Sequence, residues 1–130
     1  MPAPTLNFPG IEAFLKKYQE KAGPAGVDPL GHYLPPWAYA YMQVLGQAVE
    51  ATKSLDQSKL AEHMRTTTYQ TIVGPVKFGS NGEWATTRAL MVQFRDLKPD
   101  DLDQFKKAGS RVVLYPASVK SGELQFPYRQ

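Results

Sequence analysis

The sequence predicts an α/β fold in which about three helices are followed by a β-hairpin and a short third strand. Up to about residue 65, apolar residues recur at the three- and four-residue intervals of amphipathic helices. From Thr66 onward, Thr, Val, Ile and aromatic residues become frequent, and these residue types favour strands. The 130 residues contain no internal repeat and no linker between domains. The chain is therefore expected to form one small domain, residues 1–130.

The stretch "FPGIEAFLKKYQEK" predicts the first helix. One face of it is apolar and the opposite face is rich in lysine, and the apolar residues are Ile11, Phe14, Leu15 and Tyr18. Residues 22–36 are rich in Pro and Gly, which break helix and strand alike, so a long loop is expected there. Residues 1–8 contain two prolines and no periodicity, which predicts an extended arm.

A second helix is predicted from Pro35-Pro36 to about Thr52. Its main apolar stripe is made of Ala38, Tyr41, Met42, Leu45, Ala48 and Val49. Because the neighbouring faces are also apolar, this helix is expected to be buried on more than one side.

The stretch "SLDQSKLAEHMR" predicts a third, short helix. Ser54 and Gln57 have the spacing of a capping box at its start. Its inward-facing residues are expected to be Leu60, Ala61 and Met64.

Two runs, "TTTYQTIVGPVKF" and "EWATTRALMVQFR", predict the strands of the hairpin, with Asn81-Gly82 in the reversal between them. The second run alternates so that Leu90, Val92 and Phe94 share one apolar face. The stretch "RVVLYP" predicts the third strand, and "KPDDLDQFKKAG" predicts a helical turn.

Composition excludes several classes of protein. The net charge is +3, and the 15 basic residues are scattered, which does not favour nucleic-acid binding. The absence of cysteine excludes disulfides, thiolate metal sites and a cysteine nucleophile. No apolar run approaches the roughly 20 residues that span a bilayer. The first ten residues lack the basic and apolar regions of a signal peptide.

The loop "GPVKFGSNGEW" carries no recognisable catalytic or metal-binding pattern. It lacks the spacing of a phosphate-binding loop, and Glu83 stands alone where a calcium loop needs several carboxylates. A structural turn is therefore predicted. The two histidines are about 30 positions apart and do not form a zinc site; His63 is expected at a helix surface, and His32 lies in a loop where it could touch a ligand.

The acidic stretch "PDDLD" admits two interpretations. It follows a proline and precedes apolar residues, which favours a helix N-terminus where acidic side chains interact well with the dipole. The alternative is a small enzyme that uses Asp100 and Asp101 for acid–base chemistry. The serines have no nucleophile motif, so the chain is not predicted to be an enzyme, and neither a metal nor another cofactor is predicted.

The stretch "HYLPPWAYAYM" places aromatic side chains in a loop that leads into a helix. Small-molecule pockets have apolar walls and form where loops meet helix ends. Such clusters are nevertheless more often part of a core than of a pocket, so the residues alone leave both interpretations open.

Taken in order, four segments resemble the last third of branched-chain amino acid (Leu/Ile/Val-type) ABC-transporter substrate-binding proteins, which are periplasmic. The resemblance runs from about Phe8 to the end of the chain. The segments are "FPGIEAFLKKYQEKAG", "AYAYMQVLGQAVEATKSLD", "TIVGPVKFGSNGEW" and "VVLYPASVKSGELQFP". The resemblance implies part of a type I binding-protein lobe, in which two α/β lobes close on a ligand like a hinge.

The resemblance also implies a ligand site and partners. By position, an apolar contact to the ligand falls on Leu34, with Tyr33 beside it, and the aromatic cluster adds Trp37. The two prolines of "YLPPW" depart from the family pattern, which points to an aromatic or acidic solute as an alternative ligand. The full-length family delivers an amino acid-like ligand to an ABC permease in the periplasm.

The family's groups for the ligand's ammonium and carboxylate lie in the first two thirds of its chain. The resemblance therefore predicts an incomplete domain that does not bind ligand tightly by itself. The apolar stripe around Leu45 is expected to have evolved against protein that this chain lacks, so self-association into a homo-oligomer is predicted. The main alternative is a ligand-sensing domain of a receptor or regulator with the same fold.

Overall fold

The computed structural model describes residues 6–86 and 88–128. It is an α/β structure with three helices followed by two small antiparallel sheets. The helices are α1 (Ile11–Ala25), α2 (Leu34–Thr52) and α3 (Gln57–Thr66), and the strands are β1 (Thr68–Thr71), β2 (Gly74–Lys77), β3 (Met91–Phe94) and β4 (Arg111–Tyr115). Two short 3₁₀ helices follow β3 and β4, at Leu102–Lys106 and Ala117–Val119. Within the described ranges, no helix has the length and apolar content needed to cross a membrane.

The chain divides into two compact units. The first, here called the hairpin unit, comprises Phe8–Phe14 and Tyr33–Arg88. The second, here called the C-terminal unit, contains Leu15–His32 together with the described residues 6–7 and 89–128. Most of the predicted N-terminal arm, residues 1–5, lies outside the described residues. The assignment of the chain to one incomplete domain stays a prediction.

The core of the hairpin unit lies where α2 packs on α3 and on the hairpin of β1 and β2. Its buried members are Val44, Ala48, Leu60, Tyr69 and Val76. On α2 the buried residues recur every four positions, at Pro36, Ala40, Val44 and Ala48. These side chains are small, so the helix approaches its neighbours closely.

The predicted stripe of α2 is therefore partly wrong. Leu45 and Val49 are half-buried against the core of this same chain, and Ala48 is fully buried in it. Tyr41 and Met42 remain exposed, at 68% and 59% of their surface. The expectation that the region around Leu45 faces protein outside the chain is corrected, because α3 and the hairpin already cover it.

Two glutamines of α2 hold the hairpin by its backbone. Gln43 Oε1 accepts a hydrogen bond from Ile72 N at 2.9 Å, and Gln47 Nε2 donates to Gln70 O at 3.0 Å. Since these residues lie one helical turn apart, they fix the register of the hairpin along the helix.

The predicted pairing of the two strand-forming runs is confirmed only beside the turn, where Phe78 pairs with Trp84 and Ala85 N donates to Lys77 O at 2.9 Å. Their strands pair elsewhere. The first run supplies both β1 and β2, which pair with Thr71 opposite Gly74 and reverse at Ile72-Val73. The second run contributes only β3, which pairs with β4 in the C-terminal unit. The reversal at Asn81-Gly82 closes one further bridge, between Phe78 and Trp84. The third predicted strand, "RVVLYP", is confirmed as β4.

Two helix ends also differ from the sequence-based prediction. Helix α1 continues through Pro24 to Ala25, because Gly26, at φ +64°, supplies the left-handed residue at which the helix ends. The N-cap of α3 is Asp56, not Ser54: its side chain accepts from Lys59 N at 2.9 Å. Ser54 Oγ instead accepts from Asp56 N at 3.0 Å.

Candidate functional site

Trp37 lies in the first turn of α2, just after Pro35 and the buried Pro36. Its ring contacts that of Trp84 edge to face, with centroids 5.2 Å apart and an angle of 63° between the planes. Both residues belong to the hairpin unit. Trp37 keeps 41% of its surface exposed, so the pair offers indole surface to solvent.

The turn at Asn81-Gly82 positions Trp84. Gly79 N donates to Glu83 O at 2.7 Å, and Glu83 N donates to Asn81 Oδ1 at 3.1 Å. These bonds make the tight reversal that brings Trp84 back across from Phe78. The loop forms the predicted turn, and the turn also delivers two residues, Glu83 and Trp84, to the cleft. That the loop is structural alone stays a prediction.

Arg88 is the charged centre of the site. Its guanidinium stacks 4.7 Å from the Trp84 ring centroid and 5.5 Å from that of Phe8. Its Nη1 donates to Val73 O at 2.9 Å. Partial burial lowers the pKa of the Arg88 guanidinium from its ordinary value, but arginine stays protonated at any physiological pH.

Gly74 makes room for this arrangement. Its φ is +95°, and a Cβ built there would lie 2.7 Å from Arg88 Nη2 and 2.7 Å from Phe8 Cζ. Only glycine fits both the backbone conformation and the space. The glycine of the Gly-Pro step in the strand-forming run therefore leaves the space that the Arg88 and Phe8 side chains occupy.

Trp37, Glu83, Trp84 and Arg88 line an open cleft with a volume of about 480 Å³. The carboxylate of Glu83 accepts from Asn81 Nδ2 at 3.1 Å, and its side chain is exposed. In the part of the chain that the structure describes, the ion pairs join Lys106 to Asp103 and Lys120 to Glu123. Arg88 has no such carboxylate partner among those residues, so its charge faces the cleft without a counter-ion.

The cleft combines flat apolar walls with one cation and one anion. Its volume falls within the roughly 300–1,000 Å³ of small-molecule sites, which also pair apolar walls with a few polar groups. The arrangement suits binding of a small polar solute.

The structure places the three predicted ligand contacts at the beginning of α2, but only one of them lines the cleft. Trp37 does so. Tyr33 and Leu34 are exposed at 71% and 68% of their surface and do not line it. Their role as ligand contacts stays a prediction.

The other residues considered from the sequence have structural partners or lie in the C-terminal unit. His63 is half-buried, not on the surface as expected, and its Nδ1 lies 2.6 Å from the Tyr69 hydroxyl. Asp101 caps the 3₁₀ helix by accepting from Asp103 N and Gln104 N, which confirms the helix N-terminus interpretation. His32 belongs to the C-terminal unit, where burial and the nearby Arg111 lower its pKa to about 4.

Sequence reasoning missed Glu83, Trp84 and Arg88. The chain contains two tryptophans, and Trp84 follows directly on a polar turn where a large apolar residue is unusual. The position of Trp84 after the turn was the one feature of the sequence that could have indicated its place in the site. Contact between Trp84 and Trp37, 47 positions earlier, depends on tertiary packing that periodicity does not encode.

The family model described as "Periplasmic binding protein" matches residues 1–99 of the 130. The matched range includes all three helices, the hairpin and the four residues that line the cleft. No curated protein matches the chain.

Proposed function

Because the chain belongs to the periplasmic binding protein family, we propose that it serves as the solute-binding component of an ABC importer for branched-chain or related amino acids. The family binds solutes in general and is typically non-enzymatic. The observation that carries the proposal is the extent of the match, residues 1–99, which contains both α2 and the turn that positions Trp84.

The ligand contacts proposed on this chain are Tyr33, Leu34 and Trp37. The exposure of Tyr33 and Leu34 supports this, since large apolar side chains at a helix entrance are free to meet a solute. Trp37 adds the indole surface that lines the cleft. In this proposal the partners are an amino acid-like solute and the permease of the importer, and the compartment is the periplasm, as for the family in general.

Transport measured in cells tests the proposal. Deletion of the encoding gene in the source organism should reduce uptake of one radiolabelled amino acid among leucine, isoleucine, valine and phenylalanine. The wild-type gene should restore it, and Trp37→Ala should restore it poorly. Glu50→Ala, an exposed change on α2 outside the cleft, is the matched control and should behave as wild type. Unchanged uptake of all four amino acids in the deletion strain would contradict the proposal.

A homo-oligomer is proposed as well, with the exposed part of α2 as its interface. Tyr41 and Met42 are consecutive residues of this helix and are 68% and 59% exposed. Covering each such side chain stabilises an assembly by roughly 1.5–3 kcal/mol. Sedimentation at micromolar concentration should show a dimer or larger species that Met42→Glu dissociates. A monomer at all concentrations tested would refute this part of the proposal.

A further inference from the structure

The guanidinium of Arg88 is partly buried, and no carboxylate among the described residues forms an ion pair with it. A half-buried guanidinium loses hydration, and a carboxylate partner normally compensates for that loss. Here its neighbours are two aromatic rings and one carbonyl oxygen. The bond to Val73 O uses one of the five N–H donors of the guanidinium.

We propose that the cleft formed by Trp37, Trp84 and Arg88 binds a small aromatic monocarboxylate. This inference rests on the proposed solute-binding function and narrows its ligand class. The carboxylate would accept from the Arg88 guanidinium, and the ring of the ligand would lie against the indoles. Glu83 would limit the ligand to a single negative charge.

Arg88 is held in place before any ligand arrives. The rings of Phe8 and Trp84 stack on the guanidinium, and the bond to Val73 O fixes its orientation. Because the planar fork of donors matches a carboxylate, little conformational freedom is lost when the two meet. Lysine would supply the charge without the fork or the stacking.

The indole rings of Trp37 and Trp84 favour a ligand with a flat aromatic ring. Trp37 and Trp84 meet at 63°, which leaves an angled apolar surface rather than a narrow slot. A volume of about 480 Å³ accommodates a single six-membered ring with its carboxylate. A flat ring gains edge-to-face contacts with indole that a saturated ring of the same size lacks.

The negative charge of Glu83 limits how many negative charges the ligand can carry. The Glu83 carboxylate accepts a hydrogen bond from the amide of Asn81 and lines the same cleft as Arg88, but Glu83 and Arg88 are not ion-paired. A second carboxylate on the ligand would face this anion and be repelled. A zwitterion would instead present its ammonium there, so the sign of the effect of Glu83 distinguishes the two ligand classes.

Fluorescence titration of the full chain is the test, because both tryptophans of the protein line the cleft. Benzoate should quench emission saturably, with a dissociation constant on the order of 1 mM for so small a ligand in an open site. Benzamide, its neutral isostere, should bind at least about tenfold more weakly, as a lost charged hydrogen bond requires. Terephthalate and cyclohexanecarboxylate should also bind more weakly than benzoate.

Three variants check the assignment of roles. Arg88→Gln should abolish saturable quenching, and Arg65→Gln, on the exposed face of α3, should not change it. Because Arg88 contacts Phe8, Trp84 and Val73 O, its substitution could also destabilise the protein. Glu83→Gln avoids this ambiguity, since loss of stability cannot tighten binding. It should tighten benzoate binding about two- to fivefold by removing a like charge. Equal binding of benzamide and benzoate, or weaker benzoate binding in Glu83→Gln, would overturn the inference.

Failure of this inference and failure of the proposed function give different results. Saturable leucine binding that Glu83→Gln weakens, without benzoate binding, would overturn the aromatic monocarboxylate and leave the amino acid proposal intact. Benzoate binding in a protein whose gene deletion changes no amino acid uptake would support the ligand class inferred here and overturn the amino acid importer.

Discussion

His63 Nδ1 and the Tyr69 hydroxyl lie 2.6 Å apart, and Tyr69 is almost fully buried in the core between α2, α3 and the hairpin. The two groups are hydrogen-bonded, and the tautomer of His63 decides which of them donates. A partly buried polar contact thus ties α3 to β1 at the core of the hairpin unit.

The first prediction concerns this bond. Tyr69→Phe keeps the ring and removes the hydroxyl, which leaves His63 Nδ1 without this partner. We expect the free energy of unfolding to fall by about 1–2 kcal/mol in urea denaturation. Tyr41→Phe, which removes the hydroxyl of an exposed tyrosine, should change it by less than about 0.5 kcal/mol. Equal effects of the two changes would show that the bond does not form in solution.

The second prediction is a loss of stability at alkaline pH. Burial raises the pKa of the Tyr69 hydroxyl above its ordinary value of 10.0. Above pH 10 the unfolded chain therefore releases this proton while the folded chain keeps it, so stability declines as the pH rises through that region. The denaturant midpoint, measured between pH 9 and pH 11, should fall less steeply in Tyr69→Phe than in wild type. The same slope in both proteins would contradict the prediction.

The third prediction is a loss of stability in acid. Burial and the charge of Arg111 lower the pKa of His32 from 6.5 to about 4. Between these values the unfolded chain binds a proton that the folded chain does not, so stability is complete above pH 6.5 and is lost as the pH falls toward 4. His32→Gln should remove part of this dependence in urea unfolding at pH 7, 6 and 5. An unchanged dependence in the variant would assign the acid sensitivity to other groups.

The fourth prediction compares two glycines that both have positive φ. At Gly82 a Cβ meets open space, so Gly82→Ala should cost only the backbone strain of about 1–2 kcal/mol. At Gly74 a Cβ would also collide with Phe8 and Arg88, so Gly74→Ala should cost about 1–3 kcal/mol more. Thermal unfolding measures both. A Gly74→Ala protein as stable as Gly82→Ala would mean that Arg88 is not seated beside the hairpin.

Much of the fold could be predicted from the sequence, because its helices have clear periodicity. The bounds of α2 were predicted within about two residues, and β4 was predicted as a strand. Strand pairing was not predicted, because β3 pairs with β4 from about 20 positions later, whereas the sequence suggested its neighbour. Strand propensity shows that a segment pairs and does not show its partner.

The candidate site was predictable only at Trp37. The aromatic cluster drew attention to that residue, and the family resemblance added Tyr33 and Leu34. Arg88 gave no signal, since a lone arginine in a polar stretch is ordinary in sequence. Its importance comes from Phe8 and Trp84, which tertiary packing brings to it from different parts of the hairpin unit.

A crystal structure of the protein soaked with benzoate and, separately, with leucine would show whether a solute occupies the cleft between Trp37, Trp84 and Arg88. We expect electron density for a solute against the Trp37 indole, with its carboxylate within hydrogen-bond distance of the Arg88 guanidinium. A well-ordered solute bound elsewhere, with this cleft empty at saturating concentration, would contradict it.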